Sequence, residues 1–341
     1  MPHLFIAVTA HGYGHLAQVA TVAVELSRRI PRLRITLQGT VDAAYCAERM
    51  PAGYRHVAEA ADVALPMDGP LQVRWLEGLA AFVDFETDYD RQLTRQVARL
   101  QADRPDLVLA DIPWLPLDAA KRLGIPAVGL CSLNWHDILV DGPMGDQVQP
   151  TLADRLRLVY RGADLFLRPA PSMPMAWLPN GRDIGPIGAR RRCAPDDLRH
   201  RLGIDAEQRL VLLQFGGAGR LALGGPRIPN VCFLTPDAAA AGGRDDVVLI
   251  GADGQPGVLD VLACCDAVIT KPGYGTFAEA ACNGIPVAYV PRPDWPEAPY
   301  LIDWLAQQVP VQAIPAEDLA AGRVADALSS LFAAGITDPV E

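Results

Sequence analysis

The sequence predicts an α/β protein built from two doubly wound, Rossmann-like parallel-sheet halves whose strand ends face a central cleft. Three observations predict it. Continuous apolar runs such as LFIAVTA (Leu4 to Ala10), PDLVLAD and IPAVGLCS read as strands covered on both faces. Helical stretches alternate with them, and strand–helix alternation gives a parallel sheet. The pattern fades between Pro169 and Pro195, a stretch rich in Pro, Gly and Arg, and restarts at RLVLLQFGGAG (Arg209 to Gly219). At 341 residues the chain has the length of two ordinary domains.

In the first half, LFIAVTA is followed by HGYGH and a helix from about Leu16 to Arg29, with apolar positions at Val19, Val22, Ala23 and Leu26. LRITLQG is the second strand. Residues 41 to 105 hold two helical stretches, the second running from about Leu76 to Gln101. PDLVLAD ends in Asp111, PWLPLDAAKRLG is a helix closed by Gly124, and IPAVGLCS leads into LNWHDIL. The helix DRLRLVYRGA and the strand DLFLRPA complete this half. The boundaries are therefore 1–170 for the first domain, 171–195 for the linker, 196–318 for the second domain and 319–341 for a C-terminal helix and tail.

The second half opens with the strand RLVLLQF; RLALGGPRIP then lacks a convincing amphipathic helix, and PDAAAAGGRDD has room for only a brief one. DVVLIGADG is a strand, GVLDVLACC a helix and AVIT a strand. LIDWLAQQ is a helix, VPVQAI a strand, and a last helix runs from about Pro315 to Phe332.

Net charge is −10 with a pI near 5.1, which argues against a nucleic-acid or anionic-membrane surface. No apolar run reaches the ~18 residues of a membrane span, and no basic segment precedes the first apolar run, so the expectation is a cytoplasmic protein without a transmembrane segment. Seven cysteines without C-x-x-C spacing read as reduced core residues, with neither zinc nor disulfide framework. Asp88-Tyr89-Asp90 spells D-x-D inside a helical pattern, and no metal site is expected. The first strand is followed by G-x-G-H, and the second ends in Gln38-Gly39. A dinucleotide-binding unit would carry G-x-G-x-x-G and an acidic residue there.

The most informative stretch is VITKPGYGTFAEAACNGIPVAYVP (Val268 to Pro291): a buried strand, a glycine-rich turn, a short helix starting near Thr276, a stop at Gly284 and another strand. Glycines let the backbone approach a ligand, and the first amides of the helix point at the same place, which makes a seat for phosphate. Glu279 follows in the helix, where a carboxylate accepts from neighbouring sugar hydroxyls.

KPGYGTFAEAACNGIPVAYVPR resembles the donor-site signature of GT-B glycosyltransferases. It is most similar to glycosyltransferase-like proteins related to the N-terminal half of plant L-arabinokinase, and more distantly to the peptidoglycan N-acetylglucosaminyltransferase. VTAHGYGHLAQ resembles that group's opening motif, and CSLNWHDIL and PRPDWPEAPYL resemble its middle and tail segments. The resemblance implies a GT-B fold and an inverting, metal-independent transferase that takes a nucleotide diphosphate sugar, a UDP-sugar in first place, as co-substrate and needs no cofactor. Its partners would be that small molecule and an unknown acceptor; a homodimer stays open.

Such a transfer must neutralise the leaving diphosphate, take a proton from the acceptor hydroxyl and align the two. For the diphosphate the candidates are Gly273, Tyr274, Gly275 and Thr276, with Lys271 adding charge and Gly216 and Gly217 facing them; Glu279 binds the ribose. His11 at the first strand end is the candidate base, oriented by Asp111 or leaving Asp111 to contact the acceptor. Gly12, Gly14 and His15 complete the HGYGH turn, with His15 packing or capping the helix. His136 and Asp137 are acceptor-side candidates, and Arg292 and Asp294 would meet the sugar. The poor helical pattern after the second half's first strand leaves two rivals: a non-catalytic sugar-nucleotide-binding protein, and a sugar-nucleotide epimerase or hydrolase of the same fold.

Overall fold

The computed structural model describes residues 1–9, 11–191, 194–216, 221–241, 244–251 and 255–340. They form two compact units. One comprises 1–66, 73–187 and 294–297, and the other 67–72, 188–293 and 298–341.

In the first unit β1 (His3–Val8) is buried at every position, as its apolar run requires. α1 (Tyr13–Arg29) packs Leu16, Val19, Ala20 and Ala23 into one core with Ile6, Leu37 and Leu109. β2 (Arg34–Gln38) follows. α2 (Ala43–Arg49) starts at Asp42, whose carboxylate accepts from the Ala44 and Tyr45 amides at 3.0 Å each. β3 (Arg55–Val57) is a short edge strand; β4 (Met67–Asp68), which belongs to the second unit, pairs with β5 (Gln72–Val73) as a two-stranded ribbon.

The single long helix expected over Leu76 to Gln101 is two, α3 (Trp75–Thr87) and α4 (Tyr89–Asp103). Asp88 between them leaves helical geometry (φ −101°, ψ 10°), and its carboxylate accepts from Arg91 Nε at 2.6 Å and Gln92 Nε2 at 3.0 Å. The D-x-D aspartate is thus occupied by its own helix.

β6 (Leu107–Asp111), α5 (Trp114–Leu123), β7 (Ala127–Leu130), α6 (Trp135–Val140), α7 (Pro150–Gly162) and β8 (Leu165–Pro169) complete the alternation. The stretch 171–195, expected to be connecting chain, also carries β9 (Gly181–Ile184), paired parallel to β8 from Phe166↔Gly181 to Pro169↔Ile184. GRDI has no apolar run, so only its neighbour strand makes it a strand. All seven strands run parallel in the order β3-β2-β1-β6-β7-β8-β9, and the direction of winding reverses between β1 and β6.

The second unit contains α8 (Pro195–Leu202), β10 (Arg209–Gln214), β11 (Val231–Thr235), β12 (Val247–Leu249), α9 (Val258–Leu262), β13 (Ala267–Thr270), α10 (Tyr274–Asn283), β14 (Val287–Tyr289), α11 (Ala298–Leu305), β15 (Val311–Ala313), α12 (Ala316–Ala320) and α13 (Ala325–Ala334). Its six parallel strands are ordered β12-β11-β10-β13-β14-β15, reversing between β10 and β13. Among the described residues no helix joins β10 to β11, as the sequence suggests. Instead the buried Arg244 guanidinium donates to Gly224 O and Gly225 O at 2.6 and 2.9 Å while paired with buried Asp246.

The single terminal helix expected from Pro315 to Phe332 is split into α12 and α13 around Gly322. A Cβ there would lie 2.4 Å from Gly224 O, and φ is +73°. Backbone packed against backbone, in a left-handed conformation, ends α12 where side-chain periodicity predicts continuation.

Cys46, Cys131, Cys232, Cys265 and Cys282 are free and buried. Cys264 is disulfide-bonded, which corrects the expectation of seven reduced cysteines; spacing along a chain does not reveal which sulfurs a fold brings together. No helix among the described residues is long and apolar enough to cross a membrane.

Candidate functional site

In each unit several of the candidate residues lie where the sheet's winding reverses, the place where open α/β sheets bind ligands. In the first unit this lies beyond β1 and β6. Val8 pairs with Asp111, and the Thr9 amide donates to Asp111 O at 2.9 Å, so the two strand ends are held side by side. Gly12 precedes α1 with φ +92°, a left-handed conformation that glycine supplies without strain. That turn carries Gly14 and His15 into the first turn of α1 and back over the strand ends.

There His15 Nδ1 lies 2.8 Å from Asp111 Oδ1. The expectation that Asp111 orients His11 does not hold, because the chain reaches the carboxylate only after turning into the helix. His15 packs among buried residues of α1, with its Nδ1 on Asp111. Asp111 is fully buried and His15 nearly so. Burial pulls the imidazole pKa down, but the charge and hydrogen bond of Asp111, helped by the charges of Glu297 and Asp62, outweigh it and hold His15 above its ordinary value. Burial raises the Asp111 carboxyl, with His15 opposing. When Asp111 is ionised its oxygens only accept, so Nδ1 carries the proton, and in the neutral ring Nε2 then presents a lone pair. This is the geometry of an oriented general base.

His11 lies in aromatic surroundings. Its ring stacks on Trp295 at 5.1 Å and 16°, and meets the edge of Trp135 at 5.6 Å. Trp295 Nε1 donates to Glu297 Oε2 at 3.0 Å, and Ser132 donates to Glu297 Oε1 at 2.6 Å. Trp135 Nε1 donates to Asp62 Oδ2 at 2.8 Å. Burial pushes Asp62 up to about 7 against hydrogen bonds from Trp135 and Thr9. Asp62, Ser132 and Glu297 were not among the expected site residues. Glu297 stands inside the PRPDWPEAPYL segment and was signalled by it, whereas the EAADVALP context of Asp62 carries no signal.

His136 and Asp137 pair with each other, Nδ1 to Oδ1 at 2.7 Å, at the start of α6. Trp177 Nε1 at 2.8 Å and Asn134 Nδ2 at 2.9 Å complete the Asp137 shell, so this carboxylate's oxygens are engaged within the fold.

In the second unit β10 leads to Gly216 (φ +76°), and Gly217 lies outside the described residues. Thr270 at the end of β13 donates to Gln214 O, tying the two strand ends together. Lys271 stands beside Gly216; a Cβ on that glycine would sit 3.8 Å from Lys271 Cε. α10 begins at Tyr274 with Gly273 as N-cap, two residues earlier than expected. Its first intrahelical bond at this end runs from Phe277 N to Gly273 O at 3.2 Å. The four amides that an α-helix leaves without intrahelical acceptors are therefore those of Gly273, Tyr274, Gly275 and Thr276. Glu279, in the second turn, is buried rather than solvated, and its backbone carbonyl accepts from Asn283. Arg292 is buried in this unit beside Met67, and Asp294 is exposed and belongs to the first unit.

No family model matches the chain. It is 23% identical over 310 residues to L-arabinokinase of Arabidopsis thaliana, a match covering 89% of this chain and 30% of that protein. It is 26% identical over 194 residues to the UDP-N-acetylglucosamine--N-acetylmuramyl-(pentapeptide) pyrophosphoryl-undecaprenol N-acetylglucosamine transferase of Paenarthrobacter aurescens (strain TC1), covering 51% of this chain and 48% of the relative. The chain thus spans less than half the length of these two relatives. Among solved structures, spinosyn forosaminyltransferase SpnP superposes with a TM-score of 0.61 over 97% of this chain and 90% of that one, at 16% identity, a likeness of fold. Two parallel-sheet units and a structural match over nearly the whole chain show that it has the fold of these glycosyltransferases, and its sequence is distantly similar to theirs.

Proposed function

We propose that the protein transfers a glycosyl group from a nucleotide diphosphate sugar, a UDP-sugar in first place, to an acceptor hydroxyl with inversion and without a metal. The observation that carries this reading is the set of four outward amides at the start of α10, at the winding reversal of its sheet, with Glu279 one turn further on. Helix N-termini bind phosphate through such amides and the helix dipole, and a leaving diphosphate needs that stabilisation as the glycosidic bond breaks. Lys271 adds positive charge, and Glu279 accepts from ribose hydroxyls.

The first unit supplies the proton acceptor. His15 Nε2 takes the acceptor's hydroxyl proton while Asp111 holds the other ring nitrogen and stabilises the imidazolium. The acceptor oxygen forms its bond to the anomeric carbon as the diphosphate leaves with the bonding pair. His11, stacked on Trp295, is read as part of an aromatic platform and not as the base.

Calorimetric titration of the full chain with UDP, UMP and a panel of UDP-sugars tests the donor half. Diphosphates binding far more tightly than the monophosphate is the expected result, and absence of nucleotide binding overturns the reading. Product analysis separates the rivals. Turnover of a UDP-sugar without acceptor assigns a hydrolase or epimerase, and binding without turnover against any acceptor assigns a sugar-nucleotide-binding protein.

A further inference from the structure

Behind the His15–Asp111 pair lies a group that the transfer reaction does not use. Cys131 directly follows β7, the neighbour of β6, so its fully buried thiol arrives beside the end of the strand that carries Asp111. Its Sγ is 3.6 Å from His15 Nδ1, which is 2.8 Å from Asp111 Oδ1. One ligand atom from each residue lies within 4.8 Å of the other two, and no other such trio of His, Cys, Asp or Glu occurs among the described residues. The second carboxylate oxygen, Asp111 Oδ2, is buried and has no hydrogen-bond partner.

We propose that His15, Asp111 and Cys131 form a binding site for a thiophilic divalent cation, zinc in first place, and that filling it inhibits the protein. Zinc takes sulfur at about 2.3 Å and nitrogen or oxygen at about 2.0–2.2 Å, so in a tetrahedron its ligand atoms stand roughly 3.3–3.7 Å apart. The Cys131–His15 separation of 3.6 Å already has that spacing. The His15–Asp111 contact has to open by about half an ångström to reach it, or the carboxylate has to turn Oδ2 toward the ion.

The charges also match. One thiolate and one carboxylate cancel the two positive charges of zinc, leaving a buried site with no net charge. The Cys131 thiol proton and the His15 Nδ1 proton leave to solvent, and no covalent bond in the protein breaks. Calcium and magnesium, which require shells of oxygen ligands, do not suit a sulfur–nitrogen pair. A metal on Nδ1 takes the imidazole away from Asp111, which ends its service as a base. That last consequence rests on the proposed transfer reaction; the binding itself does not.

The test uses the full-length protein stripped of metal. Titration with cobalt(II) is expected to give the visible spectrum of a tetrahedral ion with a thiolate-to-cobalt charge-transfer band, both erased by added zinc. Zinc is expected to raise the melting temperature at one equivalent. Cys131→Ala is expected to abolish the charge-transfer band and weaken zinc binding at least about tenfold while leaving basal glycosyl transfer unchanged and insensitive to zinc. Cys131→Ser, which keeps a similar volume, serves if the alanine variant folds poorly. A cobalt spectrum without a thiolate band, or zinc binding that survives both substitutions, overturns the site. Zinc binding through Cys131 with no effect on a demonstrated transfer activity overturns the inhibitory role alone.

Discussion

Asp111 passes over His11 and bonds His15, Oδ1 to Nδ1 at 2.8 Å. Parallel pairing of β1 with β6 sets Asp111 opposite Val8, and the chain must turn through Gly12 into α1 before an imidazole can face the carboxylate. His11, still in the turn, reaches Trp295 and Trp135 instead. The two histidines of HGYGH therefore differ in kind, and the difference is measurable.

Replacing His15 with Ala should lower kcat by about 10²–10⁴, the usual range for loss of a positioned base, while UDP affinity stays within error. His11→Ala should keep most of kcat and show its effect in the acceptor KM. Steady-state kinetics of both variants decides the matter: a silent His15→Ala with a dead His11→Ala exchanges the roles assigned above.

The pH profile carries the same pairing. Because Asp111 holds His15 above its ordinary pKa of about 6.5, the neutral, proton-accepting form appears only at higher pH. The expected kcat/KM therefore rises with pH through a midpoint above about 6.5. In Asp111→Asn the main charge that opposes burial is gone and only the weaker pull of Glu297 and Asp62 remains, so the midpoint should move down, together with a loss of maximal rate. A midpoint that stays in place on that substitution removes Asp111 from its positioning role.

Glu279→Gln and Glu279→Ala should each weaken UDP binding by about 1.5–3 kcal/mol, a lost charge-assisted hydrogen bond, or roughly 10- to 150-fold in Kd. Thermal melting of the apo variants controls for the burial of this side chain. UDP affinity within twofold of the parent in the glutamine variant would take Glu279 out of the nucleotide site.

Asp62 makes a prediction about stability. Its carboxyl titrates at about 7 when folded, because burial outweighs the bonds from Trp135 and Thr9. An unfolded aspartate titrates near 4. Between those values the folded state binds more protons, so stability is greatest in acid and falls as pH rises toward 7, by at most about 4 kcal/mol from this one group. In Asp62→Asn the amide oxygen can still accept from Trp135 Nε1, but the titration is gone. Urea denaturation at pH 4.5, 6 and 8 should show the variant gaining on the parent as pH rises; parallel curves would mean that Asp62 does not titrate in this range.

Local pattern predicted most of the strands because a strand buried on both faces must be apolar along its interior, and β1, β6, β10 and β13 are, with polar residues only at their ends. The helix α10 was legible to within two residues: Gly284 ends it as the sequence suggests, and it starts at Tyr274 where the sequence suggested a start near Thr276. Places where polar side chains or backbone contacts override periodicity were not. Asp88 divides a long helical stretch, Gly322 divides another against Gly224, and β9 exists only because β8 lies alongside.

What the sequence by itself determined is the alternation of buried strands and helices, the division into two sheets and the identity of the chemistry-bearing types at their strand ends. Those follow from solvent exclusion and chain stiffness, which act locally. The tertiary structure alone decided that Asp111 serves His15, that Trp295 and Glu297 join the first unit, that Asp62 is held in a buried environment, and that Cys131 stands beside the imidazole. Partners tens of residues apart are chosen by strand order and register, and neither is written in any single stretch of the chain.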